Sequence, residues 1–327
     1  MGGGVRANRR LLLVLCAALL VSSWGCRRDD RKVIAVIPKS TSHLFWVSVE
    51  AGARSAGRDL NVEVLWNGPP AETDYSRQIQ IMDSMIAKRV DGIALAASER
   101  KALVGPLERA AASGIPVTVF DSGLDSEHYL TFVATNNYEA GQMAARELAR
   151  LIGGKGTVGV ILHAPGSYST MDREQGFQDL IAREYPQIKI VAQQYGMADP
   201  ARSRAAAENI LTAYPRLDAM FASTEPSSAG ATLAIKARGL AGKIKFVAFD
   251  SSENMIQDLK SGAIDAMVVQ DPFRIGYEAV QTLVDKLNGK QPPKRMDLSA
   301  QLIRREDLER AEVRQLLFPD VRTHLRQ

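Results

Sequence analysis

Residues 33–49 read VIAVIPKSTSHLFWVSV, and they contain the first change from an apolar run to a polar segment after residue 32. Its first five residues are all apolar, which is typical of a β-strand that is buried on both faces. A short polar segment follows, and Phe45 and Trp46 then begin a segment whose pattern predicts a helix. The stretch therefore predicts a strand, a polar turn and a helix, which together are the repeating unit of an α/β fold.

The same alternation of apolar strands and amphipathic helices continues along the chain. Strands are predicted at 33–37, 62–66, 92–96, 116–120, 157–162, 188–194, 217–222, 244–249 and 265–270. Because these strands are apolar on both faces, we expect parallel sheets that helices cover on each side. The strands are too many for one compact open sheet, and a single closed barrel would need eight of them.

Three segments predict that the chain crosses between two sheets. The strand in TFVATNN (131–137) runs directly into a polar turn and a new helix, and similar crossings are predicted at 270–272 and 296–298. We therefore expect an α/β fold of two doubly wound, Rossmann-like lobes, joined by three hinge crossings, with a ligand cleft between them. The N-terminal lobe would comprise 33–134 and 271–297, and the C-terminal lobe 135–270 and 298–327. The charged tail 304–327 is expected to be helical and to lie on the lobe surface.

The first residues of the chain have the composition of an export signal. Residues 1–25 contain a short basic start and the apolar run LLLVLCAALLVSS, and they predict a signal peptide. Cys26 directly follows Gly25, which favours a lipid-modified cysteine over plain cleavage, with residues 26–32 as the tether of the lipid anchor. We therefore expect a membrane-anchored lipoprotein in the periplasm or at the cell surface.

Charge and cysteine content exclude several classes of protein. The net charge is +4, and three arginines lie in the predicted signal peptide, so the remaining chain is close to neutral. Its charges are spread along the sequence, which does not indicate nucleic-acid binding. The two cysteines are Cys16 and Cys26, so the exported domain is expected to fold without disulfides. We expect the protein to be a monomer.

Polar and aromatic side chains follow the predicted strands at the edge where the two lobes would meet. These candidate ligand-binding residues are Lys39, His43, Phe45, Trp46, Asp121, Arg173, Thr224, Asp250 and Gln270. Carboxylates, guanidinium groups and amides bind the hydroxyls of a sugar, and aromatic rings pack on its C–H faces. The set therefore predicts a site for a monosaccharide or sugar derivative, without a metal or a cofactor.

Each of these residues, taken alone, also has a purely structural explanation. Phe45 and Trp46 could belong to the core, and Asp121 and Asp250 could anchor the loops after their strands. Arg173 could pair with a neighbouring acid on a solvated face. Their common position at the ends of the strands favours a ligand site.

Several longer segments together resemble the periplasmic sugar-binding proteins of ABC importers, of the ribose-binding type. The resemblance spans most of 33–303 and rests on IAVIPKSTSHLFWVSVEAGA, VDGIALAASE, GIPVTVFDSGL, FVATNNYEAGQMAA, REQGFQDL, FVAFDSSENM and AMVVQDPFRIGYEAV. It implies two Rossmann-like lobes that close on a sugar, and a closed form that docks on a membrane permease of the ABC type. A ligand-sensing subunit that presents its closed form to a membrane receptor or kinase is the alternative.

The resemblance also implies roles for individual residues. Phe45 and Trp46 match the aromatic sandwich of the family, and its hydroxyl-binding groups are matched by Asp121, Arg173, Asp250 and Gln270. Thr224 stands where the family often has an amide. Lys39 and His43 replace small polar or amide residues that are usual in ribose binders. Either Lys39 holds a modified or anionic sugar, or it pairs with Glu225 or an acid at a sheet end.

Two other functions are less compatible with the sequence. Gly154, Gly156 and Gly159 have the spacing of a dinucleotide fingerprint, but they follow a helix and precede a strand, which is the reverse of the required order. We therefore do not expect an enzyme. A regulator of the lactose-repressor type would carry an amino-terminal DNA-binding motif, whereas here a signal peptide is predicted in that place.

Overall fold

Two parallel-sheet lobes form the fold. The computed structural model describes residues 31–319 and 321–325, so the predicted signal peptide and Cys26 lie outside the described residues. The first sheet contains β1 (Val33–Ile37), β2 (Glu63–Trp66), β3 (Gly92–Leu95), β4 (Val117–Phe120), β5 (Thr131–Thr135) and β11 (Arg295–Leu298). Its strands pair in the order β11-β5-β4-β3-β1-β2, and every pairing is parallel.

The second sheet repeats this arrangement. It contains β6 (Gly156–Leu162), β7 (Ile188–Tyr195), β8 (Ala219–Ala222), β9 (Lys245–Phe249), β10 (Ala266–Val269) and β12 (Gln301–Arg304). The order is β12-β10-β9-β8-β6-β7, and β12 alone among these described strands runs antiparallel to its neighbour. The two doubly wound sheets confirm the fold class that the sequence predicts.

Helices alternate with the strands and cover both sheets. They are α1 (Leu44–Asp59), α2 (Tyr75–Lys88), α3 (Val104–Ala112), α4 (Asn137–Leu151), α5 (Tyr168–Glu184), α6 (Pro200–Ala213), α7 (Glu225–Ala237), α8 (Glu253–Ser261), α9 (Pro272–Leu287), α10 (Ala311–Leu317) and α11 (Val321–Leu325). Each sheet has one apolar cluster on each face, which explains why its inner strands are continuous apolar runs. No described helix is both long and apolar enough to cross a membrane.

The chain passes between the sheets three times. It leaves the first sheet after β5, returns to it between β10 and α9, and leaves it again between β11 and β12. Asn136 and Asp271 cap the helices that begin at the first two crossings, because their side chains accept hydrogen bonds from Glu139 N and Arg274 N. The carboxyl ends of both sets of strands therefore border the gap between the lobes.

Glycines allow two pairs of helices to pack at close range beside this gap. A Cβ on Gly276 of α9 would lie 2.0 Å from the carbonyl oxygen of Val49 in α1. In the second lobe, a Cβ on Gly141 of α4 would lie 1.9 Å from the carbonyl oxygen of Arg173 in α5. The second contact holds the start of α4 next to Arg173, one of the predicted site residues.

The carboxyl-terminal tail does not stay on one lobe. Helix α10 packs in the second lobe, where Val313 and Leu317 join the apolar cluster around Ile303. Helix α11 packs on α1 of the first lobe, and the His324 ring contacts Phe273 at 5.2 Å. The sequence-based division assigns all of 298–327 to the C-terminal lobe, and α11 departs from that division because its apolar contacts lie on α1 and α9.

Candidate ligand-binding site

All nine predicted site residues line one small cavity between the lobes. The cavity has a volume of about 30 Å³, and the other residues around it are Glu72, His163, Ser169, Thr170, Glu225 and Pro226. Such a space holds one or two water molecules, so a sugar enters only when the lobes separate or side chains move. A groove of about 400 Å³ adjoins it and shares Phe45, Asp250 and Gln270, but its far wall is the apolar tail segment 316–319. The smaller cavity gathers the charged groups and is therefore the better candidate site.

Two aspartates occupy equivalent positions in the two lobes. Asp121 follows β4 with a φ of 56°, and Asp250 follows β9 with a φ of 62°. The backbone N–H of each donates to the next strand of its sheet, Asp121 to Val133 and Asp250 to Val268, both at 2.8 Å. The left-handed conformation is costly for a residue with a side chain, and such strain is found most often at functional sites. It turns both carboxylates toward the cavity.

The first lobe contributes a buried cation between two carboxylates. Lys39 is 3% exposed, and its Nζ lies 3.5 Å from Glu72 Oε2 and 3.6 Å from Asp121 Oδ2. Burial raises the pKa of Asp121, and the charge of Lys39 offsets only part of that rise, so that the pKa is about 6. Lys39 is thus paired with an acid at a sheet end, which was the alternative to binding an anionic sugar.

The aromatic residues of the first lobe form an edge-to-face pair at the start of α1. The rings of Phe45 and Trp46 are 5.0 Å apart at an angle of 86°. Trp46 is 2% exposed, packs against Phe120 and donates from Nε1 to Glu72 Oε1 at 2.8 Å. Phe45 is only half-buried, and it borders the larger groove as well as the small cavity. Both residues belong to the core and to the cavity wall at once.

The second lobe contributes a buried arginine that the surrounding residues hold firmly. Arg173 is 2% exposed, and its Nε and one terminal nitrogen donate to Asn137 Oδ1 at 3.2 and 2.7 Å. Its other terminal nitrogen donates to the carbonyl oxygen of Ser223, and the guanidinium lies 3.6 Å from the centre of the Phe249 ring. The expected alternative, a solvated ion pair with a neighbouring acid, does not occur, because the side chain points into the lobe and toward the cavity.

The carboxylate of Asp250 accepts hydrogen bonds from two other residues of the second lobe. Its Oδ1 accepts from Gln270 Nε2 at 2.9 Å, and its Oδ2 accepts from the backbone N–H of Glu225 at 3.3 Å. Burial raises the pKa of Asp250, although the positive charge of Arg173 opposes the rise. Thr224 donates to Ser227 Oγ at 2.9 Å.

Two cavity residues that the sequence analysis did not identify connect the lobes directly. His163 Nε2 lies 3.0 Å from Glu72 Oε2, and its Nδ1 lies 3.3 Å from Thr224 Oγ1. Burial lowers the pKa of His163. Burial alone would raise the pKa of Glu72, but Lys39 and His163 together hold it well below its ordinary value.

His163 could have been found from the sequence, since it comes directly after β6 and therefore at a strand end. Glu72 lies six residues beyond β2, in a loop without a recognisable pattern. Its role in the cavity depends on tertiary contacts with Trp46 and Lys39. The described residues contain no group of three or more histidine, cysteine, aspartate or glutamate side chains that could hold a metal ion.

Known proteins of one family match this chain along most of its length. The model of the periplasmic binding protein domain matches residues 34–291. A D-ribose/D-allose-binding protein of Pseudomonas aeruginosa is 29% identical over 89% of this chain and 95% of its own length. A ribose import binding protein of Bacillus subtilis is 27% identical over 87% of this chain and 92% of its own length.

Solved structures agree with this result. A carbohydrate transporter solute binding protein from Agrobacterium radiobacter, in complex with D-arabinose, superimposes with a TM-score of 0.86 at 34% identity, over 88% of this chain and 99% of that one. An ABC transporter solute binding protein from Agrobacterium vitis with bound D-fucose has a TM-score of 0.85 at 30% identity, over 88% and 100%. The chain therefore belongs to the family of the periplasmic binding protein domain, among the sugar-binding proteins of ABC importers.

Proposed function

We propose that the protein captures a monosaccharide or sugar derivative between its lobes, outside the cytoplasm, and delivers it to an ABC-type permease. One observation carries this proposal: the hydroxyl-binding and aromatic side chains at the strand ends of both lobes surround one cavity. Relatives that bind ribose, allose, arabinose and fucose support the sugar class. In this proposal Lys39, His43, Phe45, Trp46 and Asp121 contact the ligand from the first lobe, and Arg173, Thr224, Asp250 and Gln270 from the second.

Binding is coupled to closure of the lobes. The described conformation is closed, because hydrogen bonds join the lobes directly: Arg100 N to Gly166 O at 2.9 Å, Ser169 N to Ser122 Oγ at 3.3 Å and Lys39 Nζ to Ser167 Oγ at 3.2 Å. A ligand favours closure only if it binds the closed form better than the open form. A sugar that reaches Asp121 and Asp250 at once has this property, since opening separates the two carboxylates.

The site is expected to bind its ligand without changing it. Asp121 and Asp250 accept from sugar hydroxyls in this proposal, and they do not act as an acid and a base. Incubation of the protein with a sugar that it binds, followed by mass spectrometry of the recovered ligand, should return the sugar unaltered. A changed product would contradict this part of the proposal.

The position of the protein in the cell is part of the same proposal. We expect a signal peptide at 1–25, a lipid anchor on Cys26 and a monomer that reaches the permease from the membrane surface. Labelling with a radioactive fatty acid in cells tests the anchor, because Cys26→Ser should abolish incorporation. Incorporation that persists in this variant would contradict the anchor and leave the binding function untouched.

Calorimetry with single sugars tests the binding function. We expect at least one of D-ribose, D-allose, D-arabinose and D-fucose to bind with a Kd of about 10 μM or lower. Asp250→Asn should weaken that binding at least about tenfold, because a charge-assisted hydrogen bond to a hydroxyl contributes roughly 1.5–3 kcal/mol. The matched control Asp83→Asn removes a half-exposed carboxylate on α2 and should leave binding unchanged. Equal effects of the two substitutions would contradict the site.

A further inference from the structure

Two buried hydrogen-bond acceptors in the cavity lack a donor. Within the described parts of the chain, Gln270 Oε1 and Glu225 Oε2 are inaccessible to solvent and have no hydrogen-bond partner. Gln270 Nε2 donates to the ionised Asp250 carboxylate at Oδ1, and this orientation of the amide leaves Oε1 as the atom without a partner. A buried acceptor without a donor costs free energy, so both atoms indicate that a donor comes from the ligand.

Carboxylates outnumber cations around these two acceptors. The cavity is lined by four carboxylates, those of Glu72, Asp121, Glu225 and Asp250, and by the cations of Lys39 and Arg173. Lys39 lies between Glu72 and Asp121, so this cation is already paired with two of the four carboxylates. The cavity as a whole therefore has an excess of negative charge that a positive ligand would neutralise.

Glu225 is the least compensated of these carboxylates. Burial and the negative charges of Asp250 and Glu72 together raise its pKa to about 7. Hydrogen bonds from the backbone N–H groups of Phe45 and Leu44 oppose this rise. They place the carboxylate at the start of α1, where the helix has no side-chain cap from His43 within the described chain.

The half-buried Phe45 also lines the cavity, and its backbone N–H is one of the two that bind the Glu225 carboxylate. Aromatic faces attract cations, and a carboxylate together with an aromatic ring is a favourable site for an ammonium group. A neutral hydroxyl could satisfy one of the two acceptors. An ammonium group has three donors and a positive charge, so it satisfies Glu225 Oε2 and Gln270 Oε1 and also reduces the charge excess.

We propose that the ligand is an amino sugar whose protonated amine binds between Glu225 Oε2 and Gln270 Oε1. This inference rests on the proposed function and specifies its ligand class. The remaining hydroxyls of the sugar would then contact Asp121 and Arg173, and the C–H face of the ring would contact Trp46. The amine thus determines which end of the sugar faces the second lobe.

Paired ligands test this proposal with the wild-type protein. Calorimetry at pH 7 compares the 2-amino, 3-amino and 6-amino deoxy derivatives of D-glucose, D-galactose and D-allose with the parent sugars and with the N-acetylated forms, which lack the charge. We expect at least one amino sugar to bind at least tenfold more tightly than both its parent and its N-acetylated form. Glu225→Gln should reduce that preference to less than threefold.

The matched control is Glu253→Gln, which removes an exposed carboxylate from the first turn of the next helix, α8. It should retain the full preference for the amine. If the parent sugars bind as tightly as every amino derivative, or if Glu225→Gln retains the preference, the amine proposal is overturned and the sugar-binding function stands. If no sugar of any kind binds, the proposed function itself is overturned.

Discussion

Replacement of Lys39 by methionine should destabilise the protein strongly and in a pH-dependent manner. Methionine has a similar length and retains the apolar contacts of the side chain, but it removes the cation between Glu72 and Asp121. Lys39 is 3% exposed and lies 3.5 and 3.6 Å from the two carboxylates. Removal of one partner from a buried ionic cluster costs about 3 kcal/mol or more, because the remaining charge is left without compensation.

The pH dependence follows from Asp121. Its pKa in the folded protein is about 6, already above the ordinary value of 3.8, and loss of Lys39 raises it further. When folding raises the pKa of an acid, ionisation of that acid lowers the free energy of unfolding. The full loss applies at pH values above the pKa in the folded protein, and there is no loss below the pKa in the unfolded chain. We therefore expect Lys39→Met to lower the free energy of unfolding by about 3 kcal/mol at pH 8 and by less at pH 5, where Asp121 is protonated and only the loss of the Lys39–Glu72 pair remains.

Urea denaturation at the two pH values, followed by circular dichroism, measures these free energies. The control Lys243→Met removes an exposed lysine and should change the free energy of unfolding by less than about 0.5 kcal/mol at either pH. The double variant Lys39→Met with Asp121→Asn should regain stability at pH 8, because the uncompensated carboxylate is gone. A loss in Lys39→Met that is the same at pH 5 and pH 8, or smaller than about 1 kcal/mol at both, would refute the reasoning.

Three further predictions concern packing, hydrogen bonding and titration. Gly276→Ala should destabilise the protein by about 2 kcal/mol or more in urea denaturation, since a Cβ would lie 2.0 Å from a carbonyl oxygen of α1. The control Gly105→Ala should be neutral or stabilising, because its Cβ would meet no atom closer than 3.4 Å. Trp46→Phe removes the donor at Nε1 and should weaken sugar binding at least about fivefold in calorimetry; an unchanged affinity would count against its place in the site. The free energy of unfolding without ligand should fall by at least about 2 kcal/mol from pH 5 to pH 8, because burial raises the pKa values of Asp121, Glu174 and Glu225, and this outweighs the opposite effect of the lowered pKa of His163. A rise over this range would contradict the assignment.

The fold was predictable where strands are buried on both faces. Such strands are continuous apolar runs, as in β1 and β9. The polar residues directly after β5 and β10 indicate two of the crossings between the lobes. Strands β11 and β12 were not predicted, because they lie at the sheet edges and are partly exposed. Their sequences RMDL and QLIR therefore contain charged residues. The path of the tail was also not predictable, because α11 is short and its place depends on contacts with α1.

The position of these polar side chains around one cavity was predictable for the same reason, within limits. In a doubly wound sheet the carboxyl ends of the strands converge, so Asp121, Asp250 and Gln270 could be expected to meet before any coordinates existed. Contacts that join distant loops leave no local pattern. Glu72 is recognisable as a site residue only because the fold brings it to Trp46 and His163.

A crystal structure with a bound monosaccharide tests the central claim most directly. We take the sugar that binds most tightly in calorimetry and determine its position in the protein. We expect a sugar between the lobes, with its ring against Phe45 or Trp46 and its hydroxyl or amine groups on Asp121 from one lobe and Asp250 from the other. A sugar bound in the groove against residues 316–319, or held by one lobe alone, would contradict it.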